Sequence, residues 1–407
     1  MMFNWLRSIR KKSPRQDFDK LIHIVSQIQN EHVERLGVKP ELHPLFTSFC
    51  AEEGLAILPV DGEHPEGALR RQFHKYFGTR VFGESKLGKD MELEIGFIAD
   101  PSLNAWATSR GNVDLIGVNS GLVIILDAAI RTLLSHPYLF PDVGDVTRCR
   151  PRVFPPEIGS LPLDSRMWRM APLECSDRDE LAQRIWSVAL CYMIEHEFAH
   201  LWNGHADYVN ESLGLARYDE VRDSAGDLNM QALELDADRS AATQVLRISL
   251  DPKLELSDGK IKWVIPKKMH QVASPNTLEI CTLAACLFGI ITSDIFEMND
   301  LIHLQSTHPP AIVRGIGNLN EIALVLSLFA GQNQKSTLEM LQPVVDALIT
   351  TVKAILPGGH WGTPVNEFAD QVAQLIAVYD HRLSILRPEL NRFKRGNLTE
   401  TERPFYA

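Results

Sequence analysis

The chain reads as mainly α-helical with one small antiparallel β-sheet, an α+β protein whose chemistry sits on helices. Three observations predict this. From residue 176 onward, apolar residues recur at helical spacing in one run after another. A single stretch, ELEIGFIADPSLNAWATSRGNVDLIGVNSGLV (92–123), alternates apolar and polar residues and is punctuated by Asp100-Pro101 and Arg110-Gly111-Asn112, as short strands joined by turns would be. Finally, EHEFAHLWNGH (195–205) sets three histidines and two glutamates directly after the apolar run WSVALCYMI. Such groups are costly on a buried face unless something there neutralises them.

Taken in order, MMFNWLRSIRKKSPR is basic but has no apolar segment of the kind a secretory signal requires. Phe3, Trp5, Leu6 and Ile9 beside Arg7, Arg10, Lys11 and Lys12 allow a weak peripheral contact with an anionic membrane surface. A frayed basic tail is the simpler reading. DFDKLIHIVSQIQNEHVERLG has helical periodicity over 17–37, and 38–85 mixes loop with short helix, so 1–85 form an N-terminal accessory region. The strand-rich stretch opens a second domain over 86–320, in which LVIILDAAIRTLL follows as a helix. Residues 135–175 carry seven prolines (137, 141, 151, 155, 156, 162 and 172), which excludes regular structure and suits a lid or a passive insertion equally. Ser176-Asp177-Arg178-Asp179 resembles a capping box at the start of the helix that holds EHEFAHLW, and Asp227 precedes a second long helix, LNMQALELDADRSAATQVLRISL. ICTLAACLFGIIT, EIALVLSLFAG, LEMLQPVVDALITTVKAIL and FADQVAQLIAVYDHRLSIL continue the helical series, and 321–407 form a C-terminal helical region.

Composition sets limits on function. At 407 residues the chain can bury a full core. Its net charge of −11 argues against nucleic acid as a partner, because phosphate backbones demand a basic surface. Six cysteines without a CxxC fit a reducing compartment, the cytoplasm. The most apolar stretch, 280–293, falls well short of the ~20 residues that a transmembrane helix needs. The oligomeric state is left open.

On an α-helix, residues four apart differ by about 40° and stack about 6 Å apart, so His196 and His200 can reach one ion. Glu197 lies about 100° further round, beside the ligand stripe, where a carboxylate can serve as a general base. This is the H-E-x-x-H arrangement of zinc hydrolases. His205 does not suit a third ligand: it lies about 180° round if the helix continues, and Asn203-Gly204 is a helix stop. It is expected behind the ligands or in a structural role. A better third ligand is Glu234, in Glu234-Leu235-Asp236-Ala237-Asp238, with Asp238 four residues on and on the same face. Two His and one Glu leave a fourth position open on a single zinc, and Asp238 would accept the free ring N–H of a ligand histidine.

HEFAHLWNGH followed by ELDADRSAA resembles the gluzincin metallopeptidases, in particular the family that includes the CaaX prenyl protease and the HtpX heat-shock protease, which shows HExxH and then ExxAD. DPSLNAWATSRGNVDLIGVNSGLV is similar to that family's cleft-lining strand and following helix, and Ser306-Thr307-His308-Pro309-Pro310 with Arg314 is similar to its STHPPxxxR signature. A narrower resemblance is to the Lit-type phage-exclusion peptidases. The family resemblance implies a zincin-like core in soluble form and a zinc endopeptidase acting on protein or peptide substrates. It also implies oxyanion stabilisation by His308 and Arg314, and extended substrate paired along Asn104, Ala105, Trp106 and Ala107 by β-augmentation. The departures are the missing intramembrane helices, the proline-rich insertion and both unmatched ends. Two rival readings stand beside it: a helical regulatory or scaffold protein with a structural zinc site, and a host-defence protease acting on one cellular protein.

Overall fold

The computed structural model describes residues 41–58, 70, 73, 92–151, 172–214, 228–250, 256–257, 260–261, 277–292, 308–330, 333–355 and 365–395. The helix expected over 17–37, most of 38–85, residues 152–171 of the proline-rich segment, and Asp227 lie outside them.

Helix α1 (Pro44–Glu52) starts where His43 Nδ1 accepts the Leu45 N–H at 3.2 Å. Pro44 occupies its first turn, where a missing N–H costs nothing. Strands β1 (Glu92–Ile98), β2 (Ala105–Arg110) and β3 (Val113–Asn119) form one sheet in the order β1-β3-β2. The sheet is mixed, which corrects the antiparallel expectation. β2 and β3 pair antiparallel through the turn at Gly111, but β1 pairs parallel with β3, with Ile95 opposite Ile116. The reason is topological. After β1 the chain reverses through residues 99–104 and lays β2 one strand width away, and β3 then fills the gap. As the central strand, β3 is buried along its whole length, which fits its near-continuous apolar composition.

The two sheet faces are covered differently. Ile95, Phe97, Ala105, Ala107, Ile116 and Val118 point into the main helical core, whereas Trp106, Val113 and Leu115 meet α1. Trp106 stacks on Phe46 with ring centroids 5.8 Å apart and lies flat over Gly117, where any Cβ would collide with the indole.

Helix α2 (Ser120–Leu134) is mostly apolar and buried along its whole length. Its two interior charges, Asp127 and Arg131, pair with each other four residues apart, and Arg131 also pairs with Asp179 on the next helix. A short 3₁₀ turn (Val146–Arg148) follows. Helix α3 (Ser176–Trp202) runs 27 residues. Its cap is Cys175 rather than the expected capping box: the Asp145 N–H points at Cys175 Sγ at 3.3 Å, and Asp179 accepts from Leu173 N at 2.8 Å.

Helix α4 (His205–Leu213), helix α5 (Leu228–Leu250), a two-residue pairing of β4 (Leu256–Ser257) with β5 (Lys260–Ile261), and helices α6 (Thr277–Thr292), α7 (Ala311–Ala330), α8 (Gln334–Ile355) and α9 (Val365–Phe393) complete the described chain. The main core joins the sheet's inner face to α2, α3, the later part of α5, α6, α7 and α8, while a second core joins α4, the first part of α5, α7 and α9. The end of α9 is fastened to the site-bearing region. The Arg395 N–H donates to the Trp202 carbonyl at 3.0 Å, and its guanidinium bonds Asp114, Ser109 and Asp207. Among the described residues, no helix is long and apolar enough to cross a membrane.

Candidate metal centre

The last turns of α3 lie against α5 and carry a buried polar face in a region otherwise made of core. His196 and His200 stand one turn apart on it, and Glu234 reaches across from α5. His196 Nε2 is 3.1 Å from His200 Nε2 and 3.4 Å from Glu234 Oε2, and His200 Nε2 is 3.5 Å from Glu234 Oε1. Ligand atoms at about 2.0–2.1 Å around a tetrahedral zinc stand about 3.3–3.4 Å apart; here the two histidines meet different oxygens of Glu234, and one ligand atom from each residue lies within 4.8 Å of the others. A second observation points the same way. Glu234 Oε2 is buried and, among the described residues, accepts no hydrogen bond of normal geometry, while nitrogens of His196, His308 and Arg314 stand 3.3–3.7 Å from it. His196, His200 and Glu234 thus form a buried group that could hold a metal ion.

The charges around the group are set by burial and by partners. Burial alone would raise the Glu234 carboxyl, but His308, His196 and His200 hold it well below the usual range. Burial pulls His196 down, yet Asp238 and Glu234 outweigh it and push its imidazole up to about 10. Burial keeps His200 well below the ordinary histidine value against the opposing pull of Glu234.

Each ligand histidine has a partner behind it. His196 Nδ1 lies 3.0 Å from Asp238 Oδ1. Asp238 is itself gripped by Arg314, from Nε at 2.5 Å and Nη2 at 2.7 Å, and burial's upward push on this carboxyl is outweighed by that guanidinium. Tyr192 Oη also reaches Asp238 Oδ1 at 3.2 Å and accepts from Asn318 Nδ2 at 2.8 Å. Behind His200 stands His205, with the two Nδ1 atoms 3.1 Å apart. His205 Nε2 continues to Asp236 Oδ2 at 3.2 Å, and that oxygen accepts from Asn203 Nδ2 at 2.7 Å. The contact exists because α3 stops at Trp202. Gly204 turns the chain at φ +81°, and α4 restarts at His205, folding the imidazole back on the ligand.

Glu197 follows His196 on α3 and is buried. His308 is half-exposed and meets Glu234 Oε2 at 3.3 Å, at the rim of the group. Arg314 is 1% exposed and spends two donors on Asp238, so its guanidinium faces inward. Ala105, Trp106 and Ala107 lie on edge strand β2, which packs on α3, but their side chains are buried in the two cores; Asn104 is half-buried just before the strand. Asp236, Asn203, Tyr192 and Asn318 are site neighbours that spacing does not single out. The signal for Asp236 is indirect: a buried histidine such as His205 needs an acceptor. No family model matches the chain, and no curated protein or solved structure matches it either.

Proposed function

We propose that the protein is a zinc-dependent endopeptidase of gluzincin type, cutting peptide bonds in protein substrates. The observation that carries this reading is the convergence of His196, His200 and Glu234, a buried group with one ligand atom from each residue within 4.8 Å of the others, with Glu197 next to His196 in the chain. Zinc held by such a group supplies Lewis acidity and lowers the pKa of bound water from 15.7 to about 7. Glu197 then has the general base's part: its carboxylate takes the proton of the attacking water and delivers it to the leaving amine. His308, at the half-open rim, is suited to donate to the developing oxyanion. Such donors contribute about 2.7–4 kcal/mol in comparable sites. Arg314 takes a different part from the one the resemblance implies. Engaged with Asp238, it holds the carboxylate that orients His196. An extended substrate would run along strand β2 beside α3, as the resemblance implies.

A structural ion is the second reading, and the 1–3% exposure of all three ligand residues favours it. Structural zinc is closed on all sides by protein ligands, and Glu197 next to the ligands has no use in such a site. The two readings part in one experiment. Cell lysate treated with the wild-type protein should yield new protein termini by terminal-peptide mass spectrometry, and lysate treated with Glu197→Gln should not, although both proteins bind one zinc per chain. Identical termini from the two proteins would remove Glu197 as the base. Zinc binding without any new termini would leave the structural reading standing.

A further inference from the structure

Strand β2 is an outer strand of the sheet, and its two ends are held by unlike means. Near Ala105 the chain is laced to its own neighbours. The Asn119 N–H donates to the Asn104 carbonyl at 3.1 Å, the Gly121 N–H to the Asp100 carbonyl at 2.9 Å, and Asn119 Nδ2 to Ser102 Oγ at 2.7 Å. The other end runs into the turn at Gly111, and there Ser109 is met by Arg395, from beyond the end of α9. We propose that Arg395 is a positioning residue that holds strand β2 in place against the metal-bearing end of α3. The inference rests on the reading that lays a substrate along β2 beside a metal held by α3 and α5.

Every donor of this side chain is used, and the acceptors belong to different elements. Nε donates to Asp114 Oδ2 at 3.2 Å, while Nη2 donates to Asp114 Oδ1 at 3.0 Å and to Ser109 Oγ at 2.6 Å. One edge of the guanidinium is thus bound to the turn end of β2 and β3. Ser109 Oγ passes its own hydrogen to Asp114 Oδ1 at 2.6 Å, which ties the two strands together inside the same cluster. Nη1 donates to Asp207 Oδ2, in the first turn of α4, and to the Phe393 carbonyl at 3.0 Å. A guanidinium has five N–H donors in a fixed fork, and these five contacts exhaust them. The backbone N–H of Arg395 adds a sixth bond, to the carbonyl of Trp202 at the end of α3.

The elements gripped on the helical side are those that carry the metal group. His200 lies in the last turn of α3, and His205 opens α4. Strand β2 packs on both helices, but the side chains it turns toward the main core there, Ala105 and Ala107, are small. Apolar contact is non-directional, so it draws the strand toward α3 without fixing where along the helix it rests. The buried fork supplies the missing direction, because a planar guanidinium bonds the sheet along one edge and α4 along another. Arg395 touches neither metal nor substrate in this role. It acts through the strand.

The test uses the full chain loaded with zinc, and fluorescein-labelled casein as the substrate. Arg395→Lys keeps the charge but loses the fork, and should lower kcat by about a hundredfold per folded molecule, the cost of a misplacement of ~1 Å. Zinc affinity in a competition titration should stay at the wild-type value. Ser109→Ala and Asp207→Asn cut the sheet limb and the helix limb one at a time, and keep the test open if Arg395→Lys does not fold. Each should lower kcat, and the double variant should lower it no further than the stronger single one, since a bridge cut once is already open. A side chain that only stabilises the fold would instead give additive losses in chemical denaturation and a normal kcat per folded molecule. Hydrogen exchange reads the strand without any substrate: residues 105–110 should exchange faster in all three variants, and α5 at the wild-type rate. A wild-type kcat in the variants that fold would overturn the proposal, as would unchanged exchange over 105–110. A wild-type protein that left casein uncut would count against the peptidase reading, and the exchange rates would then decide the positioning role by themselves.

Discussion

Helix α3 buries charge at both ends, and the two ends solve the problem in opposite ways. In its first turn, Arg178 is fully buried and its guanidinium donates to five backbone carbonyls, those of Leu134, His136, Leu139, Phe140 and Val143, at 2.7–3.1 Å. In its last two turns, His196 and His200 are answered by side chains that can themselves change charge. The carbonyls saturate the guanidinium, which exhausts what that end can bind. At the other end, two ring nitrogens face a carboxylate whose Oε2 still has acceptor capacity among the described residues. Buried charge is thus weak grounds for function by itself. The kind of partner, and whether any valence is left over, separates a structural pin from a site.

Substitutions can break this comparison. Glu234→Ala should have the largest effect on the metal end, reducing zinc from one ion per chain to almost none after dialysis while far-ultraviolet circular dichroism stays native. Retained zinc in that variant, together with its loss in Asp236→Ala, would move the third ligand to Asp236. At the other end, Arg178→Met should leave zinc per folded chain unchanged but cost about 3–5 kcal/mol of stability, because buried polar groups lose their partner. Chemical denaturation reads that cost, and zinc loss without destabilisation would show the two ends to be coupled. Gly204→Ala should have the smallest effect, about 1–2 kcal/mol for an L-residue held in the left-handed region. Some strain against Phe393 adds to it. A midpoint equal to wild type in the same denaturation series would show that α9 yields there and does not hold the turn.

Part of this arrangement is legible in the sequence, and the rest is hidden for physical reasons. HExxH and the Glu234–Asp238 pair can be read because spacing on a single helix fixes which side chains share a face. Asp236 cannot. Two residues on from Glu234, it lies about 200° round α5. It enters the site only because the chain turns at Gly204 and brings His205 back. Arg178 falls inside a stretch that resembles a capping box, and nothing local shows that residues 134–143 will wrap it. The sheet departs from the antiparallel expectation because alternation identifies strands but carries no information about which strand takes the central place.

The link between Arg395 and Asp114 spans 281 residues, and the whole metal group lies inside the loop that it closes. The entropy of closing a flexible loop grows only with the logarithm of its length, about 0.6 kcal/mol per doubling. On that scale, forty extra residues in so long a loop cost on the order of 0.1 kcal/mol. An insertion of that length is therefore nearly free to this clasp wherever it leaves the packed helices and the carbonyls of residues 134–143 around Arg178 undisturbed, so the loop can lengthen there without loosening the turn that carries His205.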